Sequence, residues 1–467
     1  MTKVSRDAAS GAPRVLIENS EYWLSNVGDL AMLDVTIRRV RERWPGARIG
    51  VLTNTPHLLR AYFPGTDPIT PKGRRAWVGP SAVGRLCEEL GPRLVGPLAI
   101  AWVTTKAWLP QKAGSLRRKA RKALALTLGA TVRRSRSSST SEKPRTRVGA
   151  EPVVPRNTAS AASTASLVLA LGGGYVTDAD EAQARRVLTL LEHAHRLGLP
   201  TAMIGQGMGP VENPALMSRL CEALPDVAFF GLREGRRGPD LLFRAGVSAD
   251  RIQVTGDDAI ELSYSLRRDE LGSDLGICLR VAGYSPLSRE ARGRFKSALH
   301  EVANELSAGL SPVIIAEYKS QDRRSTLPLT RGFEPVRKPH RRFARPQEVA
   351  AQVGQCRVLV TGAYHAAVFA LAQGIPVVGL TTSLYYDDKF LGLADMFDGG
   401  LEMVRLDTGL FPERLTSAVR SAWEKAPEER VPLLASAERQ IDASRRGLAR
   451  VLDLVDAPPQ GEPAARS

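Results

Sequence analysis

The sequence predicts an α/β fold made of two Rossmann-like, doubly wound parallel sheets that face each other across a cleft. Three observations predict it. The chain opens as strand, loop, helix, strand between Arg14 and Thr53, the mononucleotide-type half of a doubly wound sheet. A second alternation of apolar runs and helix-forming stretches begins at Leu275, after a linker-like stretch from Leu266 to Gly272. Between Val358 and Leu380, a β-branched apolar run, a stretch of helix formers and a second apolar run make one parallel crossover. The expected organisation is a first domain over 12–265, with a basic, partly disordered insertion over about 106–163, and a second over 273–410. C-terminal helices over 411–456 and a flexible tail, 457–467, follow.

In chain order, RVLIE (Arg14–Glu18) reads as the first strand, and Asn26-Val27-Gly28-Asp29 as a turn that caps a helix running to about Arg43. Ala47 to Thr53 is the second strand. Arg133 to Ala165 is rich in Ser, Arg, Pro and Thr and is expected to be mobile. Ser166 to Leu171 and Thr201 to Gly205 read as strands that end in glycine turns, Gly172-Gly173-Gly174 and Gly205-Gln206-Gly207. Such turns let a ligand approach the backbone closely. Val227 to Leu232 leads to Arg233-Glu234, and Ile252 to Thr255 to Gly256-Asp257-Asp258. In the second half, strands are expected at Leu275 to Arg280 and Pro312 to Glu317, then a basic loop from Arg323 to Arg345 and a helix from Pro346 to Val353. His365 falls where the central crossover passes from strand to helix, and Tyr386 and Lys389 fall just past its second strand. Helix N-termini and strand carboxyl ends favour anionic ligands.

The formal charge of +16 is concentrated in one place. Lys106 to Arg147 holds 13 Lys and Arg against one acid, Glu142, which leaves only +4 for the other 425 residues. With Trp102 and Trp108 beside it, this stretch suits either a solvated insertion or peripheral contact with an anionic membrane. No nucleic-acid module accompanies the charge. The four cysteines show no metal or redox spacing and fit a reducing, cytoplasmic setting, with contact at the inner membrane face as an extension of that reading. The sequence has no Walker loop, HExxH, GxSxG or strict GxGxxG motif, so metal-dependent and nicotinamide chemistry lack support, and no cofactor is expected.

The segments NVGDLAML, LALGGGYV, IGQGMGP, FFGLREGRRGPDLL with VTGDDAIEL, and TGAYHAAVFALAQGIPVVGL with YYDDKFLGL resemble, in order and spacing, the polysaccharide pyruvyl transferase family. They span about Arg14 to Phe397 apart from the basic insertion. The resemblance implies a GT-B-like pair of domains and transfer of pyruvate from phosphoenolpyruvate onto sugar hydroxyls of a cell-surface polysaccharide or its lipid-linked precursor, as a cyclic ketal. It implies His365 as acid or base and phosphate contact, Lys389 (of a Tyr-x-x-Lys motif with Tyr386) as anion holder, Arg233 as a further cation, and Asp29 to orient the acceptor hydroxyl or cap its helix. Glu234, Gly173, Gly174, Gln206 and Gly207 complete the expected binding surface. Ala363 stands where the family usually has an arginine, two residues before the histidine. Arg337, with Lys338, Arg341 and Arg342, is the expected substitute, or the donor differs. The alternatives are a glycosyltransferase using a nucleotide sugar and a non-catalytic binder of glycan or anionic metabolites.

Overall fold

The computed structural model describes residues 12–99, 101, 152–280, 288–317 and 321–456. Most of the expected basic insertion and the 457–467 tail lie outside them. Seven strands form the first sheet: β1 (Arg14–Glu18), β2 (Arg48–Leu52), β3 (Asp67–Ile69), β4 (Leu167–Val176), β5 (Thr201–Met208), β6 (Phe229–Leu232) and β7 (Ile252–Val254). Their order is β3-β2-β1-β4-β5-β6-β7, parallel throughout. The second sheet contains β8 (Asp274–Cys278), β9 (Gly309–Pro312), β10 (Cys356–Thr361), β11 (Val377–Thr381) and β12 (Leu401–Arg405), in the order β12-β11-β10-β8-β9, again parallel. Runs such as Leu167–Leu171 and Val358–Val360 are buried on both faces, as a parallel sheet covered by helices requires.

Five local expectations need correction. The glycine runs are strand rather than turn: β4 continues through Gly172–Gly174 and β5 through Gly207. The strands come so close there that a side chain on Gly172 would start 2.1 Å from the Gly205 carbonyl oxygen. Near the end of the expected mobile segment, Arg156–Ala162 is a packed helix, with Trp77 Nε1 donating to the Ala161 carbonyl at 3.0 Å. The strand placed at Pro312–Glu317 is really Gly309–Pro312. Beyond it the chain leaves the sheet and bonds to the first domain: Val27 N donates to the Ile315 carbonyl at 2.9 Å and Glu317 N to the Ser25 carbonyl at 2.7 Å. The expected basic loop begins inside a helix, Gln321–Thr330, because the buried Asp322 carboxylate accepts from Ile315 N and Ala316 N at 3.1 and 2.6 Å and anchors it. The edge strand β12 had no expected counterpart.

The C-terminal residues form one long helix, Phe411–Asp456. Its first half packs under the second sheet through Phe411, Leu415 and Val419. Its end returns to the first sheet, where Leu448, Val451 and Leu452 join Val15, Ile17 and Phe229 in one apolar core.

Candidate functional site

In the second sheet, connections run outward from β8 to β9 on one side and through β10, β11 and β12 on the other. The winding reverses between β8 and β10, and ligands of open parallel sheets bind at that crevice. Two chain ends define it here. After β10, Thr361 Oγ1 accepts from Ala363 N at 2.9 Å and donates to the Cys278 carbonyl at 3.1 Å, which folds the turn and starts the helix Tyr364–Leu371. After β8, Arg280 comes alongside that turn, its backbone N 3.6 Å from where a side chain on Gly362 would start.

His365, in the first turn of that helix, is buried, and its Nε2 faces the buried Asp257 Oδ2 at 3.6 Å. Burial pushes the Asp257 carboxyl up, but His365 and then Arg233 outweigh it and hold the group below the usual carboxylate range. The other side of the imidazole rests on Gly28, where an added Cβ would lie 2.0 Å from His365 Cγ. Asn26 Oδ1 caps the Val27–Arg43 helix by accepting from Gly28 N at 3.0 Å, which leaves Asp29 in the first turn rather than at the cap. Burial raises the Asp29 carboxyl above its ordinary range, against the pull of His365, Arg280 and Arg233. Gly28→Ala is expected to move the imidazole by more than an ångström, since real Cβ contacts under 3.0 Å are essentially absent. A shift of the His365 ring resonances in NMR, with unchanged circular dichroism, checks this, and unshifted resonances would place the ring elsewhere.

The first domain faces this pair with β4, β5 and β6. Arg233, just past β6, is buried between Gly207, whose added Cβ would lie 2.5 Å from its Nε, and the Tyr364 ring, 4.1 Å from its Cζ. Lys389, on the Leu384–Phe397 helix after β11, reaches the same point: a Cβ on Gly174 would meet Lys389 Nζ at 2.9 Å and Arg233 Nη2 at 3.3 Å. Burial, then Arg233 and Arg280, push the Lys389 ammonium well below its ordinary range, against Asp29. Gly174, Gly207, Arg233, Glu234, Tyr364 and Lys389 line one narrow pocket. At its mouth the domains are tied by Arg237 to Asp388 at 2.5 Å and Arg236 to Asp395 at 2.8 Å. Among the described residues, no group of three or more His, Cys, Asp or Glu could hold a metal, and no helix is long and apolar enough to cross a membrane.

The structure thus brings together His365, Asp29, Arg233, Lys389, Gly174 and Gly207. Gln206 is fully buried and instead bonds β4, donating to the Ala170 and Leu171 carbonyls at 3.0 and 2.9 Å. Gly173 packs against Tyr175 and Ser20, Tyr386 joins the apolar core under Lys389, and Glu234 abuts Gly392 while accepting from Arg236 N. Arg337 does not reach the pocket. Its Nε donates to Asp274 at 2.6 Å, at the amino end of β8. Three residues were missed as site members: Asp257, Arg280 and Tyr364. Each follows a strand at its carboxyl end, and the sheet order brings them together.

Among solved structures the chain is similar to a putative UDP-N-acetylglucosamine 2-epimerase from Listeria monocytogenes, with a TM-score of 0.52, 10% identity, and 97% of this chain and 99% of the other covered. The UDP-GlcNAc 2-epimerase from Methanocaldococcus jannaschii aligns with a TM-score of 0.52, 10% identity, and 94% and 99% coverage. That from Neisseria meningitidis, bound to UDP-GlcNAc, aligns with a TM-score of 0.50, 9% identity, and 94% and 99% coverage. These likenesses establish the GT-B-like architecture of two Rossmann-like domains around a cleft. No curated protein matches. The family model for polysaccharide pyruvyl transferase matches residues 26–383, from the Asn26 cap to just past β11, a span that holds Asp29, Gly174, Gly207, Arg233 and His365 and ends before Lys389. The chain belongs to the polysaccharide pyruvyl transferase family.

Proposed function

We propose that the protein transfers the pyruvyl group of phosphoenolpyruvate to two hydroxyls of a glycan or lipid-linked glycan, closing a ketal and releasing phosphate. The observation that carries this reading is the convergence of Lys389 and Arg233 on Gly174, with Arg280 close enough to depress the lysine. Crowded cations in a narrow pocket suit a small ligand with both carboxylate and phosphate. In the reaction the methylene carbon takes a proton, C2 forms two C–O bonds to the sugar, and its bond to the phosphate oxygen breaks. The two hydroxyl protons end on the new methyl group and the departing phosphate. His365, oriented by Asp257 and Gly28, moves protons at C3 and the attacking hydroxyl, and Asp29 orients the acceptor. Arg280 supplies the charge that Ala363 lacks. The glycine backbone of β4 and β5 lets the donor sit against the first sheet.

The rival reading, a nucleotide-sugar enzyme, draws on the names of the structural neighbours, whose identity of about one residue in ten carries only the fold. It needs an acid for the ribose. Asp387 is engaged by Arg405 at 2.5 Å and Asp388 by Arg237. Thermal-shift titration with phosphoenolpyruvate, beside UDP- and GDP-sugars, separates the readings, because a ligand of the folded state raises its apparent stability. The expected result is a shift with phosphoenolpyruvate alone, lost in Lys389→Met. A shift with a nucleotide sugar alone would overturn the donor assignment.

A pH dependence follows. The bound anion raises the depressed Lys389 pKa, so binding takes up a proton. Affinity is then full below the lysine pKa of the free protein and declines as pH rises through it. Calorimetry in buffers of different ionisation enthalpy is expected to show the uptake, and its absence would mean that Lys389 binds no anion.

A further inference from the structure

The donor pocket opens outward into a second, larger cavity. This groove has a volume of about 630 Å³ and shares Gly209, Pro210, Arg236, Arg237 and Asp388 with the pocket. Sites for small molecules span roughly 300–1,000 Å³, so the groove has room for a ligand of its own. It lies at the carboxyl ends of β5 and β6, where open parallel sheets take their ligands. One wall is the segment Gly209–Glu212 that follows β5. The other is the Gly238–Arg244 helix after β6 with its cap residue, which turns Arg237, Asp240, Leu241 and Arg244, at steps of three and four, to one side. The first wall is fixed from behind. Thr177 Oγ1 donates to the Pro210 carbonyl at 3.1 Å, Asp178 N donates to the same carbonyl at 3.2 Å, and the Asp178 carboxylate accepts from Glu212 N at 2.7 Å. A wall already held in place loses little further freedom when a ligand binds.

The chemistry of the groove differs from that of the pocket. Arg236 and Arg237 are engaged by Asp395 and Asp388 across the domains. That leaves Glu212, Asp240 and Arg244, two exposed carboxylates and one guanidinium, to meet a ligand. An anion is therefore drawn past the groove to Lys389, Arg233 and Arg280, and the groove itself favours a neutral ligand. Its carboxylates accept from hydroxyls and its guanidinium donates to hydroxyl or ring oxygens, while Pro210, Val211 and Leu241 offer apolar surface to C–H groups. A neutral sugar ring carries both kinds of surface. Resting on the reading that the pocket holds phosphoenolpyruvate, we propose that the groove binds the acceptor through a neutral sugar residue, which presents its hydroxyls at the pocket mouth. Glu212, Asp240 and Arg244 select that residue, and neither an acidic sugar nor a linking phosphate occupies the groove.

The test uses the full chain in saturation-transfer NMR titrations with the methyl glycosides of galactose, glucose, mannose and N-acetylglucosamine, beside methyl glucuronide. Transfer is expected from at least one neutral glycoside and not from the glucuronide. The double variant Asp240→Asn/Arg244→Gln is expected to weaken binding of that glycoside by about tenfold or more, as charge-assisted hydrogen bonds are lost. Its melting temperature is expected to be unchanged because both side chains are exposed, and so is its thermal shift with phosphoenolpyruvate because neither side chain lines the donor pocket. Glu212→Gln, also at an exposed position, gives a second version of the same test. No transfer from any neutral glycoside, a glucuronide that binds at least as well, or variants that bind as wild type does would overturn the proposal. A neutral glycoside held by these side chains in a protein that gives no shift with phosphoenolpyruvate would sink the donor reading and leave the groove standing.

Discussion

Replacing His365 with glutamine is expected to reduce turnover by about 10²- to 10⁴-fold, the range for loss of a general acid or base, with little change in melting temperature. The imidazole is packed between Gly28 and the Tyr364 ring, 5.4 Å away edge-on, and glutamine can occupy much of that space. Phosphate release with phosphoenolpyruvate and a glycan acceptor measures the loss. Asp257→Asn separates a positioning role from a merely structural one. Asparagine keeps the oxygen that accepts from Ala259 N at 2.9 Å, but it puts an amide in place of the carboxylate that faces His365 Nε2. The expected result is a fall in kcat of about 10- to 100-fold with KM for phosphoenolpyruvate little changed. An unchanged kcat would remove Asp257 from the mechanism.

The sequence made the sheets legible because parallel strands buried on both faces are continuous apolar runs, and these stand out at Leu167–Leu171, Val358–Val360 and Val377–Leu380. Segments held by particular side-chain-to-backbone bonds were not legible. Asp322 converts a charged, proline-containing stretch into a helix only because it can bind Ile315 N and Ala316 N, and no local pattern announces that bond. The glycine runs misled for a related reason. Read alone, consecutive glycines mean a turn, but beside each other in β4 and β5 they permit strand contact closer than side chains allow. At the site, His365, Lys389 and Arg233 could be placed at strand ends from sequence. Arg280 escaped because only the sheet order, with β8 next to β10, brings it to the Ala363 turn.

Arg39→Ala is expected to destabilise the protein by about 3 to 5 kcal/mol, as when one partner of a buried ion pair is removed. Arg39 is buried, donates to Glu261 Oε2 through Nε at 2.9 Å and to Ser444 Oγ at 2.7 Å, and lies 3.4 Å from Asp258. Without it, Asp258, already raised by burial, loses its main compensating charge. Arg445, which binds Glu261 from an exposed position, is the control, and Arg445→Ala is expected to cost about 1 kcal/mol or less. Urea unfolding of the two variants measures the contrast, and equal midpoints would mean that the buried arginine is replaced by water. The network also sets an acid limit. Burial raises the Glu261 carboxyl, but Arg445, Arg39 and Arg38 outweigh it and bring it down to about 2. Its contribution is therefore full above the ordinary carboxylate range and is lost as pH falls towards about 2.

The return of the C-terminal helix bears on how the protein is made. The first sheet has all seven strands once Val254 is synthesised, yet Leu448, Val451 and Leu452 complete its core. At translation rates of about 5 to 20 residues per second, the gap is roughly 10 to 40 s. During that time the nascent first domain keeps an uncovered apolar groove over Phe229, which makes it a client for chaperones on the ribosome. A stop codon before the last turns of that helix would leave the groove permanently open, and such a product is marked for degradation even though every residue of the pocket has been translated.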